Sequence, residues 1–430
     1  MSFKKSINKY KTISLIRPSE SWSFSNLTQK DTNYLTHCYH RYPAKFIPQL
    51  ARKLILENSK EDEIICDPFY GSGSTILESI LHNRVGYGTD INPIAYLITM
   101  AKTTPINLLK LQKEIESINY NLKHTDYEHE DYLPEKLSNW FDISTYNTLY
   151  DILIEIKKIK PQSVMFFFLC AFSHILKSSS YWNNGSVKPH KIKDKFLNKT
   201  NDPISRFFLH VKKMELRNKQ FNLILPEKIK NNIDYYRRVQ IGDIKNIASN
   251  NQCSLIVTSP PYVVSYEYRD IHSLSLNFLQ DFFPKIPKNE NFIGSSRRKT
   301  TQHKIFSDTA SAIVEDLSVQ DKNLSKMVSS YFLDMQDSFI KSNQLLKTNG
   351  RLAVVIGNTA LRGVSISNTQ VFSEILTNLG FKENRLIKRD IPFKSLPFTR
   401  DPQTGRFVSS KSSSCIKSYS HEYVMIYCKN

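Results

Sequence analysis

Residues 63–93 read EIICDPFYGSGSTILESILHNRVGYGTDINP. A short apolar run enters a glycine-rich turn, a helical stretch follows, and a second apolar run ends on an acid. That succession is a β-α-β unit and commits the chain to a doubly wound α/β sheet. Gly71 and Gly73 suit a tight turn through which the backbone can approach a ligand closely. Asp67, at the end of the first strand, can accept from an amine or a hydroxyl. Asp90 ends the second strand, near the offset from the turn at which an acid meets ribose hydroxyls in nucleotide-binding sheets. The spacing is not GxGxxG, and no Lys-Ser/Thr pair follows as in a P-loop. An adenosine compound other than a dinucleotide or ATP is therefore expected.

The rest of the chain divides around this unit. Helical spacing marks PQLARKLIL (48–56), and residues 1–36 are polar and read as an arm or short hairpin. From residue 101 to 235 the patterns are long and helical and rich in lysine, a mostly helical insertion. Strand signals return at RRVQIGDI (237–244) and CSLIVTSPPY (253–262), then at RLAVVIGN (351–358), RLIKRDIPF (385–393) and EYVMIYCK (422–429). Helices are expected at 326–347 and 369–379. The sheet domain is thus expected at 37–100 and 236–430, split by the insertion. The run SVMFFFLCAFSHIL (163–176) is too short to span a bilayer and reads as a buried helix. The first ten residues carry no apolar run of a signal peptide, so a cytoplasmic protein is expected. Six scattered cysteines with no CxxC pair indicate neither a metal site nor a disulfide frame.

TSPPY (258–262) stands at the end of the apolar run LIV. In open α/β sheets the C-terminal ends of strands carry the ligand crevice. Pro260 and Pro261 fix the backbone and remove two N–H donors. What remains is rich in acceptors, with the Ser259 hydroxyl foremost, and Tyr262 offers a ring for stacking. Acceptors beside a stacking face suit a base with an exocyclic amine. Holding both amine hydrogens favours a pyramidal nitrogen, whose lone pair can attack an electrophilic methyl.

Taken together, DPFYGSGST, GTDINP, TSPPY and the leading segment HRYPAKFIPQL (40–50) resemble the S-adenosylmethionine-dependent amino-methyltransferases of DNA, of the Ser-Pro-Pro-Tyr type. The resemblance covers the Rossmann-like core and says little about the insertion. It implies that the methionine part of the cofactor lies near Asp67, Phe69 and Gly71, with Pro68, Ser72 and Gly73 beside them. Ribose would meet Asp90, next to Ile91, and adenine would meet Asp243. Lys45 and Phe46 would line the methionine side. Ser259, Pro260, Pro261 and Tyr262 match the catalytic tetrapeptide. Members acting on adenine N6 mostly have Asp or Asn at its first position, and those acting on cytosine N4 mostly have Ser. Cytosine N4 is therefore the expected target, with adenine N6 as the alternative on the same fold. An RNA amino-methyltransferase and a non-catalytic DNA-binding subunit are the further alternatives. No Pro-Cys nucleophile is present for cytosine C5 chemistry. The order of motifs, cofactor turn before catalytic turn with a long insertion between, departs from the order expected for many cytosine-N4 enzymes.

Charge supports a polyanionic partner. The net charge is +19, and from Lys177 to Arg238 fifteen Lys and Arg face five Asp and Glu. Double-stranded DNA with base flipping is the expected substrate, and a cognate restriction endonuclease the partner of a restriction-modification setting. Lys188, Lys191, Lys193 and Lys195 of the insertion, and Arg297, Arg298 and Lys299 after the catalytic turn, are the candidate DNA contacts. The polar loop 399–414 is a third candidate, and Trp182 is either a stacking residue or a structural one.

Overall fold

In the computed structural model, the described residues are 13, 15–43, 45–192, 202–248, 253–263, 268–284, 292–294, 304–391, 399–400, 408, 416–417 and 421–430. Seven strands form one sheet: β1 (Ile64–Asp67), β2 (Val85–Asp90), β3 (Arg237–Ile241), β4 (Cys253–Thr258), β5 (Leu346–Ile356), and, beyond a small hairpin of β6 (Thr359–Leu361) and β7 (Val364–Ile366), β8 (Phe381–Asp390) and β9 (His421–Lys429). Their order across the sheet is β3-β2-β1-β4-β5-β9-β8. β1 to β5 run parallel, and β9 lies antiparallel between β5 and β8.

Alternation explains why the sheet is covered on both faces. Leu255, Val257, Ala353, Val355, Val424 and Ile426 point to one side, where Leu50 and Leu54 of α1 (Pro48–Asn58) and Trp22 cover them. Ile256, Leu352, Val354, Met425 and Tyr427 point to the other side. There α8 (Asp308–Gln320), α9 (Lys322–Leu345) and α10 (Asn368–Asn378) pack on them through residues such as Ile313, Phe332 and Phe372. Strands buried on both faces read as continuous apolar runs, which is why CSLIV has no polar alternation.

The insertion is helical, as its spacing predicts: α4 (Leu108–His124), α5 (Ile143–Lys157), α6 (Gln162–Ser179) and α7 (Pro203–Ile224). They share a hydrophobic cluster with Ile94, Leu97 and Ile98 of α3 (Pro93–Thr103). Asp142 and Asp202 cap α5 and α7 by accepting from backbone N–H groups two or three residues on. The insertion is joined to the leading segment as well, since His210 of α7 bonds to the Tyr39 carbonyl (2.8 Å). The run 163–176 is the buried core of α6, and no helix among the described residues is long and apolar enough to cross a membrane.

The described part of the N-terminal segment differs from the expected arm or hairpin. It forms a helical turn at Glu20–Ser23 and 3-10 turns at Asp31–Asn33 and Leu35–Cys38. Trp22, buried under α1, holds it on the sheet domain, and the Ser19 N–H bonds to the Lys388 carbonyl (2.8 Å).

Candidate active site

The strand order reverses between β1 and β4, so the turns that follow them diverge and leave a crevice at their C-terminal ends. An open cleft of about 830 Å³ occupies it. Its walls include Lys45, Phe46, Asp67, Pro68, Phe69, Gly71, Ser72, Asp90, Ile91 and Asp243 from the cofactor side, and Ser259 and Pro261 from the catalytic turn. Gly73, Pro260 and Tyr262 are not among the lining residues.

Asp67 ties the two turns together. One carboxylate oxygen accepts from the Thr258 hydroxyl (2.8 Å) and the Phe69 N–H (3.1 Å), and the other accepts from the Thr75 hydroxyl (2.7 Å). The ends of β1 and β4 and the first turn of α2 (Ser74–Leu81) are thereby joined through one side chain. Burial pushes the Asp67 pKa up to about 6, against the hydrogen bonds from Thr75, Thr258 and Phe69. Asp90 does a similar job on the other side: its carboxylate accepts from the Gly71 N–H and the Asn92 N–H, both at 2.9 Å. Burial raises its pKa to about 6 as well, opposed by those two bonds.

The glycine-rich turn is held from beneath by α3. Gly71 and Gly73 have positive φ, +50° and +69°, and a Cβ at Gly73 would stand 2.4 Å from Thr99 Oγ1. The fully buried Lys102, one turn further along α3, donates to the Ser72 carbonyl. Its ammonium has little solvent, and burial lowers its pKa. Lys45 enters the cleft wall from the leading segment. It donates to Asn33 Oδ1 (3.0 Å) and the His37 carbonyl (2.7 Å), and burial brings its pKa down to about 8.

On the catalytic side, the Pro261 carbonyl accepts from the Tyr331 hydroxyl of α9 (2.9 Å). The half-buried Tyr262 packs on the cluster beneath α9, and a Cβ at Gly357, just past β5, would come within 3.5 Å of its ring. Asp243 caps the turn after β3 by accepting from the Lys245 N–H (3.0 Å).

Several wall residues were not among the site residues expected from the sequence. Tyr42, Tyr70, Gly242, Ile244, Phe292 and Ile293 line the cleft, and neither Lys102 nor Thr99 stands in any motif. Tyr42, Tyr70, Gly242 and Ile244 lay within quoted segments but were not singled out there. Among the candidate DNA contacts, Lys188 and Lys191 are exposed on the insertion. Lys193, Lys195, Arg297, Arg298 and Lys299 lie outside the described residues, as does most of the loop 399–414. Trp182 is not a surface stacking residue: it is 1 % exposed, and its indole N–H donates to the Ser186 carbonyl (3.2 Å). It packs against Trp140 at a ring separation of 5.1 Å within the insertion core.

Residues 2–101, which carry the leading segment and the glycine-rich turn, match the DNA methylase family N6_N4_Mtase. Over 402 residues the chain is 27% identical to the type II methyltransferase M.MvaI of Kocuria varians, covering 86% of this chain and 87% of that protein. Over 436 residues it is 24% identical to the type II methyltransferase M.BsoBI of Geobacillus stearothermophilus, covering 86% and 84%. Among solved structures, the rRNA methyltransferase aviRa from Streptomyces viridochromogenes aligns over 90% of this chain and 86% of its own at 8% identity, with a TM-score of 0.31, too remote to bear on the site. Residues 2–101 thus carry the signature of the N6/N4 DNA methylases, and over most of its length the chain is homologous to type II DNA methyltransferases. The cofactor of this class is S-adenosyl-L-methionine, and the cleft fits it: apolar walls from Phe46, Phe69, Ile91 and Ile244, acids at Asp90 and Asp243 for hydroxyl and amine groups, and a cation at Lys45 for a carboxylate.

Proposed function

We propose that this type II DNA methyltransferase transfers the methyl group of S-adenosyl-L-methionine to the exocyclic N4 of a cytosine flipped out of duplex DNA. The observation that carries the reading is the meeting of the glycine-rich turn and Ser259 across one cleft, with Asp67 bonded to both sides. Ser259 puts a hydroxyl where an adenine-N6 enzyme would mostly carry an acid or an amide.

Bound at the glycine-rich turn, S-adenosyl-L-methionine supplies a methyl on a sulfonium: the amine lone pair takes the methyl and the C–S bonding pair returns to sulfur. The chain's own task is to place the amine and shape its lone pair. In this reading the acceptors for the two amine hydrogens are the Ser259 hydroxyl and the Pro260 carbonyl. Tyr262 stacks on the base. No general base is needed before attack, because the nitrogen becomes acidic only once methylated, and its proton then leaves to water or through Ser259. Positioning and acceptor electrostatics carry the step. Flipping costs a few kcal/mol, supplied by contacts to the basic insertion. Residues 101–235 are in this reading the target-recognition region, and a cognate endonuclease is the partner.

Ser259→Ala is expected to lower kcat at least tenfold with little change in DNA affinity, since its bond strengthens as the nitrogen pyramidalises. Tyr262→Ala loses stacking of roughly 1–3 kcal/mol. Both variants keep wild-type affinity for S-adenosylhomocysteine by calorimetry. Wild-type turnover in folded Ser259→Ala would remove the turn from the chemistry.

A further inference from the structure

The hairpin β6–β7 does not belong to the sheet. It leaves the C-terminal end of β5, the end at which β4 delivers Ser259, with Val354 paired to Thr258. Its position is fixed at the root. Asn358 accepts from the Thr369 N–H (3.0 Å) and hydroxyl (2.9 Å), clamping the hairpin to α10. Leu361 and Val364 pack on the same hydrophobic cluster as Tyr262. The hairpin is therefore a short, anchored ribbon at the same end of the sheet as the catalytic turn.

Its tip is unusual in one residue. Leu361 pairs with Val364, so Arg362 and Gly363 make a two-residue turn, with φ of +50° and +80°. Two positive φ values are those of a type I′ turn, whose first position favours Asn, Asp or Gly. Arginine there is a local cost, and a residue kept in a sparsely populated conformation points to a use for its side chain. That side chain is 55% exposed. Its ion pair with Asp321 spans 3.9 Å, too long for a hydrogen bond, and Asp321 already caps α9 by accepting from the Asn323 and Leu324 N–H groups.

We propose that this hairpin is a DNA-gripping finger and that Arg362 clamps a backbone phosphate beside the flipped nucleotide. The inference rests on the methyltransferase reading above. A base that swings into the cleft keeps its phosphates outside it, and the finger leaves β5 at the end of the sheet where β4 delivers Ser259. The planar guanidinium offers paired donors that match two phosphate oxygens.

Arg362→Asn separates this role from a structural one. Asparagine suits the turn better than arginine, so the melting temperature stays equal or rises. DNA binding nevertheless weakens about tenfold, the loss of a hydrogen-bonded charged contact. The slope of log affinity against log salt falls by about 0.9, one phosphate contact. Arg362→Lys restores the slope but not the whole affinity. Binding is read by titrating duplex DNA that carries 2-aminopurine at the target position, with no need for turnover. Wild-type binding and slope in Arg362→Asn overturn the finger, as does a drop in melting temperature that accounts for the binding loss. If the wild-type chain binds S-adenosylhomocysteine but no duplex at any salt, the methyltransferase reading fails instead.

Discussion

Gly88→Ala is expected to cost about 4 kcal/mol of stability, beyond the 1–3 kcal/mol usual for an overpacked core, and to abolish cofactor binding in whatever folds. Gly88 stands in β2 opposite Asp67 of β1. A Cβ there would lie 2.2 Å from the Asp67 carbonyl oxygen and 3.2 Å from the Tyr70 ring. The obstacle is backbone, so no rotamer change relieves it. Nor can Asp67 retreat, because its carboxylate is bonded to Thr75, Thr258 and the Phe69 N–H. The strain therefore passes directly into the bond between the two turns. Thermal unfolding and calorimetry with S-adenosylhomocysteine measure both consequences. A variant with wild-type melting temperature and affinity would show that β1 and β2 have more room than this geometry allows.

The second large effect is expected at Glu78, on α2 behind the glycine-rich turn. Its fully buried carboxylate accepts from His37 Nε2 (2.7 Å), Arg52 Nε (3.2 Å) and the Tyr34 hydroxyl. Burial alone would raise its pKa, but the bonds from His37, His82 and Tyr34 win and hold it well below the usual carboxylate range. His37 stays neutral, its pKa pushed down to about 3 by burial and by the charge of Lys102. Glu78→Leu strands these partners and should cost about 3–5 kcal/mol. It also loosens the segment whose Asn33 side chain and His37 carbonyl hold Lys45, so affinity for S-adenosylhomocysteine falls with stability. Because the folded-state pKa is depressed, this stability is present above pH ~4.5 and lost as pH falls toward the folded value. Glu78→Gln should lack that acid-dependent part of the unfolding profile. If Glu78→Gln and the wild-type chain lose stability identically between pH 5 and 3, the carboxylate is not the anchor described.

The two turns were legible because their signals are local. A strand that is buried on both faces and then stops on Asp-Pro or Ser-Pro-Pro can be read within a dozen residues, and the walls of the cleft largely follow. The supports of the turns were not legible, because they come from far away in the chain. Glu78 meets His37 and Tyr34 across 41 and 44 residues, and Lys102 meets Ser72 across 30. Neither lysine nor glutamate announces burial by its type. The polar N-terminal segment read as an arm because its anchors, Trp22 under α1 and Tyr34 on Glu78, are isolated residues that leave no periodic pattern. α8 was missed for a similar reason: only Ala310, Ile313 and Leu317 are buried in it, too sparse a stripe to stand out. Trp182 shows the opposite ambiguity, in which an aromatic among lysines suits a stacking surface as well as a core, and packing has taken it inside.

The central claim is that this cleft methylates the N4 amine of cytosine. DNA from cells expressing the chain, digested to nucleosides and resolved by mass spectrometry, tests it directly. The account predicts N4-methylcytosine, absent from cells expressing Ser259→Ala. N6-methyladenine as the sole new product would contradict the base assignment while leaving the cleft and its cofactor in place, and no methylated base at all, from a chain that binds S-adenosylhomocysteine and duplex DNA, would contradict the enzyme itself.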